Sequence, residues 1–243
     1  MKITNSESNT SIAEIGDNIY RISTPVPPNP ALPAGFTFNQ FLIVDDEPLL
    51  FHTGLRGMFP LVREAIEAVI PVSSLRYLGI SHFEADECGA LNEFLAVAPE
   101  AVPLCSAVAK MVSVDDVADR EALGLGDGEQ ISLGKHVVQW IDTPHLPHGW
   151  DCGYLFEQKS STLFCGDLFT QPGAEHRPLI EGDILGPSES MRGAMDYYAH
   201  AEKTGELIAK LAATEPSTLA CMHGSSWSGK GSDLLRQLAS ALG

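Results

Sequence analysis

Short apolar runs separated by polar and turn-forming residues make up most of this 243-residue chain. Runs of three to seven apolar or alternating residues, bounded by Gly, Pro, Asn, Asp or Ser, are typical of β-strands. On this basis we predict strands at residues 19–24, 38–44, 48–52, 75–80, 136–141, 154–156, 162–165 and 217–222. The acidic segment 45–47 is expected to turn the second strand back onto the third as a hairpin.

Apolar residues spaced three and four positions apart predict helices in five other segments. These are residues 58–70, 88–97, 106–111, 188–213 and 233–242. Strand pairs come first along the chain and strands then alternate with helices, which predicts an α/β fold with a mixed sheet and outer helices. We expect a single domain over residues 1–243, with residues 1–12 loose because they are mostly polar.

Composition and charge narrow the classes of function. Hydrophobic residues make up 44% of the chain and charged residues 19%, as in ordinary globular proteins, while the net charge is -17. Such an acidic surface repels phosphate backbones and anionic lipid, so neither a nucleic acid nor a membrane is expected as a partner. No run reaches 18 apolar residues, and the first residues lack a signal-peptide core. The five cysteines form no C-x-x-C pair, which favours a reduced, cytoplasmic setting.

The most informative segment follows the predicted strand 75–80. It presents His82, Glu84 and Asp86 in alternation, an imidazole and two carboxylates directly after a buried strand. Three further residues capable of binding metal follow other apolar runs: His148, Asp167 and His223. Acids and histidines at the ends of buried strands are costly unless they are paired or bind a metal ion. We therefore predict a dinuclear metal centre formed by these six residues.

The donor types favour particular metals. Carboxylates are hard ligands, so a set rich in Asp and Glu favours iron or manganese over the imidazole-rich zinc pattern. Affinity alone leaves zinc open, because zinc stands above iron in the order of complex stability. Glu87 and His145, neighbours of two predicted ligands, are alternatives as ligands or as hydrogen-bond partners of ligands. The cysteines are expected to pack in the core.

These residues resemble a known family. The metallo-β-lactamase fold usually carries His-x-His-x-Asp-His, and this chain has Glu84 and Glu87 where that motif has its second and last histidines. His-x-Glu-x-Asp is instead similar to the diiron domain of flavodiiron proteins, which reduce O₂ or NO. Residues 84–91 resemble that family's E-x-D-H-S-G-x-L, and residues 37–43 its T-x-N-x-Y-L-I.

The likeness continues through the second half of the chain. His148 and Asp151 match the family's H-x-x-D, and Asp167 follows His148 after eighteen intervening residues, as in that family. His223, Gly224 and Trp227 resemble its H-G-x-x-W. The resemblance covers roughly residues 15–235 and implies a metallo-β-lactamase-like αββα sandwich.

The resemblance also implies roles for individual residues. His82, Glu84 and His148 would hold a first iron, Asp86 and His223 a second, and Asp167 would bridge the two. That family commonly has a further histidine ligand at the position of Glu87, which leaves open whether Glu87 binds the second iron or turns away. It also implies a homodimer, because the family brings a flavin to the metals of a partner chain.

We expect a non-haem diiron protein that binds or reduces O₂ or NO. Only about twenty residues follow His223, so no flavodoxin-like domain is expected, and reduction would require electrons from a separate protein. O₂ binding or sensing ranks close to reduction. The alternative is a dinuclear hydrolase of an ester, thioester or lactone. The proline-rich segment 25–38, with Leu32, Phe36 and Phe38, is either a rigid surface connection or an apolar lid over the metals.

Overall fold

The computed structural model describes all 243 residues, which form two stacked β-sheets covered by helices on both outer faces. Strands of the first sheet come from the N-terminal half: β1 Lys2–Asn5, β2 Thr10–Gly16, β3 Ile19–Val26, β4 Phe36–Ile43, β5 Leu49–Phe51, β6 Tyr77–Gly79, β7 Val102–Ser106 and β8 Leu123–Leu125. They lie in sequence order, antiparallel from β1 to β5 and parallel from β5 to β8.

The second sheet comes from the C-terminal half and contains seven strands in the order β13-β15-β14-β12-β11-β10-β9. These strands are β9 Gln130–Ser132, β10 Val137–Asp142, β11 Gly153–Glu157, β12 Thr162–Phe164, β13 Leu179–Ile180, β14 Thr218–Ala220 and β15 Ser226–Ser228. The parallel pair β12–β14 lies at its centre, so the loops after these two strands leave the same edge.

Eight helices accompany the sheets: α1 Phe59–Glu67, α2 Ala85–Cys88, α3 Leu91–Val97, α4 Ala107–Ala109, α5 Asp115–Val117, α6 Leu185–Met195, α7 Thr204–Ala212 and α8 Gly231–Leu242. Short 3₁₀ turns lie at Arg56–Met58 and Val72–Ser74, and a π-helical turn at Lys110–Val114. None of these helices combines the length and the apolar character needed to cross a membrane.

Three apolar layers hold the structure together. The outer face of the first sheet packs on α1 and α3 through residues such as Leu42, Ile66 and Phe94. Side chains of both sheets, including Trp140 and Phe164, meet between them. A third layer lies between the second sheet and helices α7 and α8. This is the αββα sandwich that the resemblance implied, and the predicted α/β class is confirmed.

The N-terminus corrects the sequence analysis. Residues 1–12, expected to be loose, form β1 and the beginning of β2, which pair as a hairpin. Asn5 holds the turn between the two strands by accepting hydrogen bonds from the backbone N–H groups of Glu7 and Ser8. The prediction failed because buried Thr10 satisfies its hydroxyl against Thr24 of the next strand, a long-range contact that polarity alone does not reveal.

The predicted helix 188–213 is also wrong, because it is two helices, α6 and α7. The chain leaves α6 at Asp196, whose φ of 50° is left-handed, and His200 lies in the connection rather than in a helix. This break turns the carbonyl oxygen of Tyr197 toward His148 Nδ1, 2.9 Å away. The predicted helix 106–111 begins in α4 and continues into the π-helical turn.

Proline placement follows from the strand order. Pro25 lies one residue beyond the predicted strand 19–24, and it belongs to β3 and pairs with Thr37 of β4. The pairing of β3 with β2 ends at Ser23, so no strand on that side needs the N–H group that Pro25 lacks. Seven strands were missed: β1 and β2 of the N-terminal hairpin, and β7, β8, β9, β13 and β15. Four of the last five contain only two or three residues.

Candidate metal centre

One loop and one short helix carry four neighbouring candidate ligands. His82 follows β6, and Glu84 is the extended residue before α2, with φ −140° and ψ 160°. Asp86 and Glu87 occupy the first turn of α2, which begins directly after Glu84. The backbone changes from extended at Glu84 to helical at Ala85. Residues 82–87 thereby supply one imidazole and three carboxylates to the same cluster.

The other three candidates come from separate loops at the same edge. His148 lies between β10 and β11, Asp167 follows β12, and His223 follows β14. Gly166, just before Asp167, has φ +46°, and a Cβ there would stand 2.8 Å from the Tyr154 ring. Glycine therefore permits the tight turn that brings Asp167 back over the end of the sheet.

Three side chains form the first donor set. His82 Nε2 lies 3.1 Å from His148 Nε2 and 3.1 Å from Glu84 Oε2, and His148 Nε2 lies 2.9 Å from the same Glu84 oxygen. Two ligands that are each about 2.1 Å from one metal ion lie about 3.0–3.4 Å apart at octahedral or tetrahedral angles. The spacing of these atoms therefore matches a shared ion.

Asp167 connects this set with a second one. Its Oδ2 lies 3.6 Å from His82 Nε2 and 3.4 Å from His148 Nε2. Its Oδ1 faces the other way, 3.2 Å from His223 Nε2, and Asp86 Oδ2 is 3.5 Å from that same nitrogen. One carboxylate thus presents each of its oxygens to a different group of donors, which is the geometry of a bridging ligand.

Glu87 also lies within the cluster. Its side chain is 0% exposed, and neither carboxylate oxygen has a hydrogen-bond partner. Its Oε1 is 3.8 Å from His82 Nε2, and its carboxylate approaches those of Glu84 and Asp86. Burial, and then the charge of Asp167, raise the pKa of Glu87 well above its usual value. Buried polar atoms are rarely left without partners, so these oxygens fit a cation that binds there.

The electrostatics of the cluster favour cations. Burial lowers the pKa of His223, but hydrogen bonds to Asp167 and Asp86 outweigh it and raise the value to about 9. Hydrogen bonds from His148 and His82 lower the pKa of Glu84 to about 2. Without metal, the histidines therefore bind protons in the field of the carboxylates, and metal ions would compete for the same nitrogen atoms.

Each histidine uses Nε2 toward the cluster and Nδ1 toward the protein. His148 Nδ1 lies 2.9 Å from the Tyr197 carbonyl oxygen, and His223 Nδ1 lies 2.8 Å from that of Thr37. His82 Nδ1 instead lies 3.0 Å from the Ser81 hydroxyl. Outer hydrogen bonds of this kind orient imidazole ligands in metal sites.

The loop of His223 is held from the first sheet. The Gly224 N–H donates to Thr37 Oγ1, while Asn39 and the buried Arg21 donate to the Gly224 carbonyl oxygen. Gly224 has φ +95°, a conformation that favours glycine. These contacts give a structural role to three polar residues of β3 and β4, namely Arg21, Thr37 and Asn39.

Aromatic rings from the proline-rich segment cover the same histidine. Phe36 stacks on the His223 ring with centroids 4.3 Å apart, and Phe38 meets it edge-on at 5.4 Å. Gly35 anchors this segment, since its carbonyl accepts a hydrogen bond from the Gly173 N–H. The end of segment 25–38 therefore lies beside the cluster.

The structure brings all six predicted residues together and adds Glu87. His145 is solvent-exposed and does not belong to the cluster. The sequence analysis missed His52, which is fully buried and reaches His82 through Ser81. Burial lowers the pKa of His52 to about 3, so its ring is neutral. The only signal in the sequence was a histidine at the end of an apolar strand.

The donor set can accommodate two metal ions. It contains three imidazoles and four carboxylates, and all five cysteines lie outside it. The two Glu87 oxygens, which are buried without hydrogen-bond partners, are suited to binding a cation. Oxygen-rich sets with imidazole suit iron and manganese.

Comparison with known proteins places this geometry in a family. A family model described as ODP family beta lactamase matches residues 36–224. The anaerobic nitric oxide reductase flavorubredoxin of Salmonella arizonae is 25% identical over 174 residues, covering 68% of this chain and 35% of that protein.

Two solved structures share the fold. Rubredoxin oxygen:oxidoreductase of Desulfovibrio gigas superposes with a TM-score of 0.79 at 21% identity, covering 94% of this chain and 61% of that one. A mutant flavo di-iron protein of Thermotoga maritima gives 0.81 at 17% identity, with 96% and 61% covered. The chain spans between 26% and 36% of the length of the first curated relatives that it matches.

Proposed function

This chain belongs to the ODP family of beta lactamases, and from that premise we propose that it is a non-haem diiron protein that binds or reduces O₂ or NO. The observation that carries the proposal is the division of the Asp167 carboxylate between two donor sets. Its Oδ2 lies 3.4 Å from His148 Nε2 and its Oδ1 lies 3.2 Å from His223 Nε2.

The ligand assignment follows from these distances. His82, Glu84 and His148 hold one ion, since their donor atoms lie within 3.1 Å of one another. Asp86 and His223 hold the other, and Asp167 bridges them. Glu87 completes the second set, because its two buried oxygens have no other partner.

Iron is the metal that we propose. Four carboxylates with three imidazoles form a harder set than the histidine-rich zinc pattern, and hard donors suit iron and manganese. Manganese and zinc are the competing ions, and a metal analysis of the purified protein separates them.

The reactive gas is proposed from chemistry and from the named relatives. Two ferrous ions, when bound, can each supply one electron to O₂ or NO. The residues of this chain supply a cavity wall: Phe36 and Phe38 cover His223 with apolar surface, which limits the access of water to that side. This contact supports the lid hypothesis for segment 25–38.

Sustained reduction needs electrons, and we propose that a separate redox protein delivers them. Without that supply the same centre would bind O₂ as a carrier or sensor. A homodimer remains a prediction, which sedimentation of the purified protein tests.

The test is reaction of the ferrous protein with O₂. The protein is loaded anaerobically with two ferrous ions per chain, O₂ is added, and the visible absorption spectrum is followed. We expect a new charge-transfer band. Loss of the band when O₂ is removed would favour a carrier or sensor, and a permanent change would favour a reductase. Full iron loading with no change on adding either O₂ or NO would contradict the proposal.

Substitution of one ligand separates gas chemistry from hydrolysis. Glu84→His restores the histidine of the usual zinc motif at that position. We expect it to abolish the reaction with O₂. If the protein were a hydrolase of an ester, thioester or lactone, the same variant loaded with zinc would retain or gain esterase activity.

A further inference from the structure

The three histidines of the metal centre differ in how their outer nitrogen is held. His148 and His223 place Nδ1 against backbone carbonyl oxygens, at 2.9 Å and 2.8 Å. A carbonyl oxygen can only accept, so each of these rings must carry its proton on Nδ1. Their Nε2 lone pairs are therefore available to a metal.

His82 has no such constraint from its direct partner. Its Nδ1 lies 3.0 Å from Ser81 Oγ, and a hydroxyl can donate or accept. If the hydroxyl donated to Nδ1, the proton of a neutral His82 would be on Nε2, where it would block metal binding. Metal binding by His82 therefore requires another group to accept the single hydroxyl proton of Ser81.

His52 is the group placed to do so. Its Nε2 lies 3.0 Å from the same Ser81 oxygen, on a ring that is 0% exposed and stacks on Phe51 with centroids 4.2 Å apart. If His52 Nε2 accepts the hydroxyl proton, Ser81 Oγ is left to accept from His82 Nδ1. The proton of His52 must then be on Nδ1, which has no partner among the protein atoms.

Gln40 supplies the matching acceptor. β4 and β5 pair antiparallel as far as Phe41 and Phe51, so Gln40 and His52 are the next residues beyond that pair on the two segments. Its amide is directed at the segment after His52, since a Cβ on Gly54 would be 3.1 Å from its Nε2. Gln40 is 0% exposed, and neither its Oε1 nor its Nε2 has a partner. Because neither His52 Nδ1 nor the Gln40 amide has a direct partner, we infer that one buried water joins them.

We propose that Gln40, His52 and Ser81 form a directed hydrogen-bond chain that holds His82 in the tautomer whose Nε2 is free for metal. Protons point from His82 Nδ1 to Ser81 Oγ, from Ser81 to His52 Nε2, and from His52 Nδ1 toward Gln40 Oε1. His52 and Gln40 are positioning residues, because they act on the metal only through His82. The inference rests on the proposed metal centre.

The direct test reads the tautomers in the unaltered protein. Zn²⁺, which is diamagnetic, is bound in place of iron, and the ¹⁵N chemical shifts of the histidine rings are recorded by NMR. We expect His52 to carry its proton on Nδ1 with Nε2 unprotonated. A proton on His52 Nε2, with Zn²⁺ bound, would overturn this inference and leave the metal centre intact. Failure of the protein to bind either Zn²⁺ or Fe²⁺ would overturn both.

Variants test the consequence for metal binding. His52→Phe keeps the ring but removes the acceptor for Ser81, and we expect the Zn²⁺ affinity at the site of His82 to fall by about 10- to 100-fold. Gln40→Leu is expected to cause a smaller loss. His52→Gln returns an acceptor and should recover part of the affinity. Competition with a chelating dye measures all of them.

A control separates metal affinity from general loss of stability. His136 is a second buried histidine, paired with Glu157 at the end of β10 and β11 opposite the loop that carries His148. His136→Gln should lower the unfolding temperature while leaving Zn²⁺ affinity unchanged. Equal affinities for His52→Phe and the wild type would refute a role of His52 in positioning His82.

Discussion

Two buried glutamates in this protein have opposite surroundings. Glu157 and Glu87 are both 0% exposed, and each lies beside a buried histidine. Glu157 accepts hydrogen bonds from His136 Nδ1 at 3.0 Å, from the N–H groups of Lys159 and Ser160 at 2.9 Å and 2.8 Å, and from the Ser160 hydroxyl. Glu87 accepts none.

The difference distinguishes a structural charge from a functional one. Burial raises the pKa of Glu157, but the hydrogen bonds from Ser160, His136 and Lys159 outweigh it and lower the pKa below its usual value. Burial raises the pKa of Glu87, and the charge of Asp167 raises it further. A buried carboxylate without donors is costly, and a bound cation would offset that cost.

Removal of the bridging carboxylate is expected to have the largest effect. Asp167→Asn takes a charged ligand from both donor sets at once. We expect metal affinity to fall by more than about 100-fold, beyond the cost of losing an outer hydrogen-bond partner. Iron content after gel filtration measures this.

Glu157→Gln is the matched control for that experiment. It neutralises a buried carboxylate that lies outside the cluster, and it should leave metal content unchanged. Loss of iron from Glu157→Gln, or two retained ions in Asp167→Asn, would contradict the distinction between a structural Glu157 and a metal-binding cluster.

Glu157→Gln, which should not change metal content, should lower the free energy of unfolding. Glu157→Gln leaves His136 without its charged partner, and we expect it to destabilise the protein by about 3 kcal/mol at pH 7, measured by urea unfolding. Since the pKa of Glu157 is lowered on folding, its contribution is complete above the unfolded pKa of about 4.3. It is lost as the pH falls through the folded pKa, so the variant and the wild type should converge in acid.

The surroundings of Glu157 and the metal cluster around Glu87 also differ in how far the sequence could predict them. His82, Glu84 and Asp86 follow one strand within five residues, so local alternation was enough to find them. The convergence of His148, Asp167 and His223 depends on the order of strands in the second sheet. Their positions after apolar runs made them candidates, and the roles expected for them at the two irons came from family resemblance. The burial of His52 and Gln40 and the hydrogen bonds to Glu157 depend on strand register and side-chain contacts. A single sequence does not contain that information.

Glu87→Gln should show the reverse of Glu157→Gln in the metal-free protein. Because the pKa of Glu87 is raised on folding, the folded state binds more protons, and wild-type stability falls as the pH rises from about 4.3 through the raised value. The variant lacks this fall and should gain about 1–2 kcal/mol near neutral pH. Urea unfolding with a chelator present tests this, and a loss of stability would contradict it.

Ser160→Ala is expected to have the smallest effect of the series. It removes one of four donors to Glu157, the hydroxyl, and leaves the Ser160 N–H in place. We expect a loss of about 0.5–1.5 kcal/mol and a pKa of Glu157 closer to its usual value. Ser190→Ala, which removes a hydroxyl bonded to the Gly186 carbonyl on an exposed face of α6, is the matched control and should change stability by less than about 0.5 kcal/mol. If Ser160→Ala lowered the free energy of unfolding as much as Glu157→Gln, a single hydroxyl rather than the whole set of donors would stabilise the Glu157 carboxylate. The number of hydrogen-bond donors would then no longer distinguish Glu157 from Glu87.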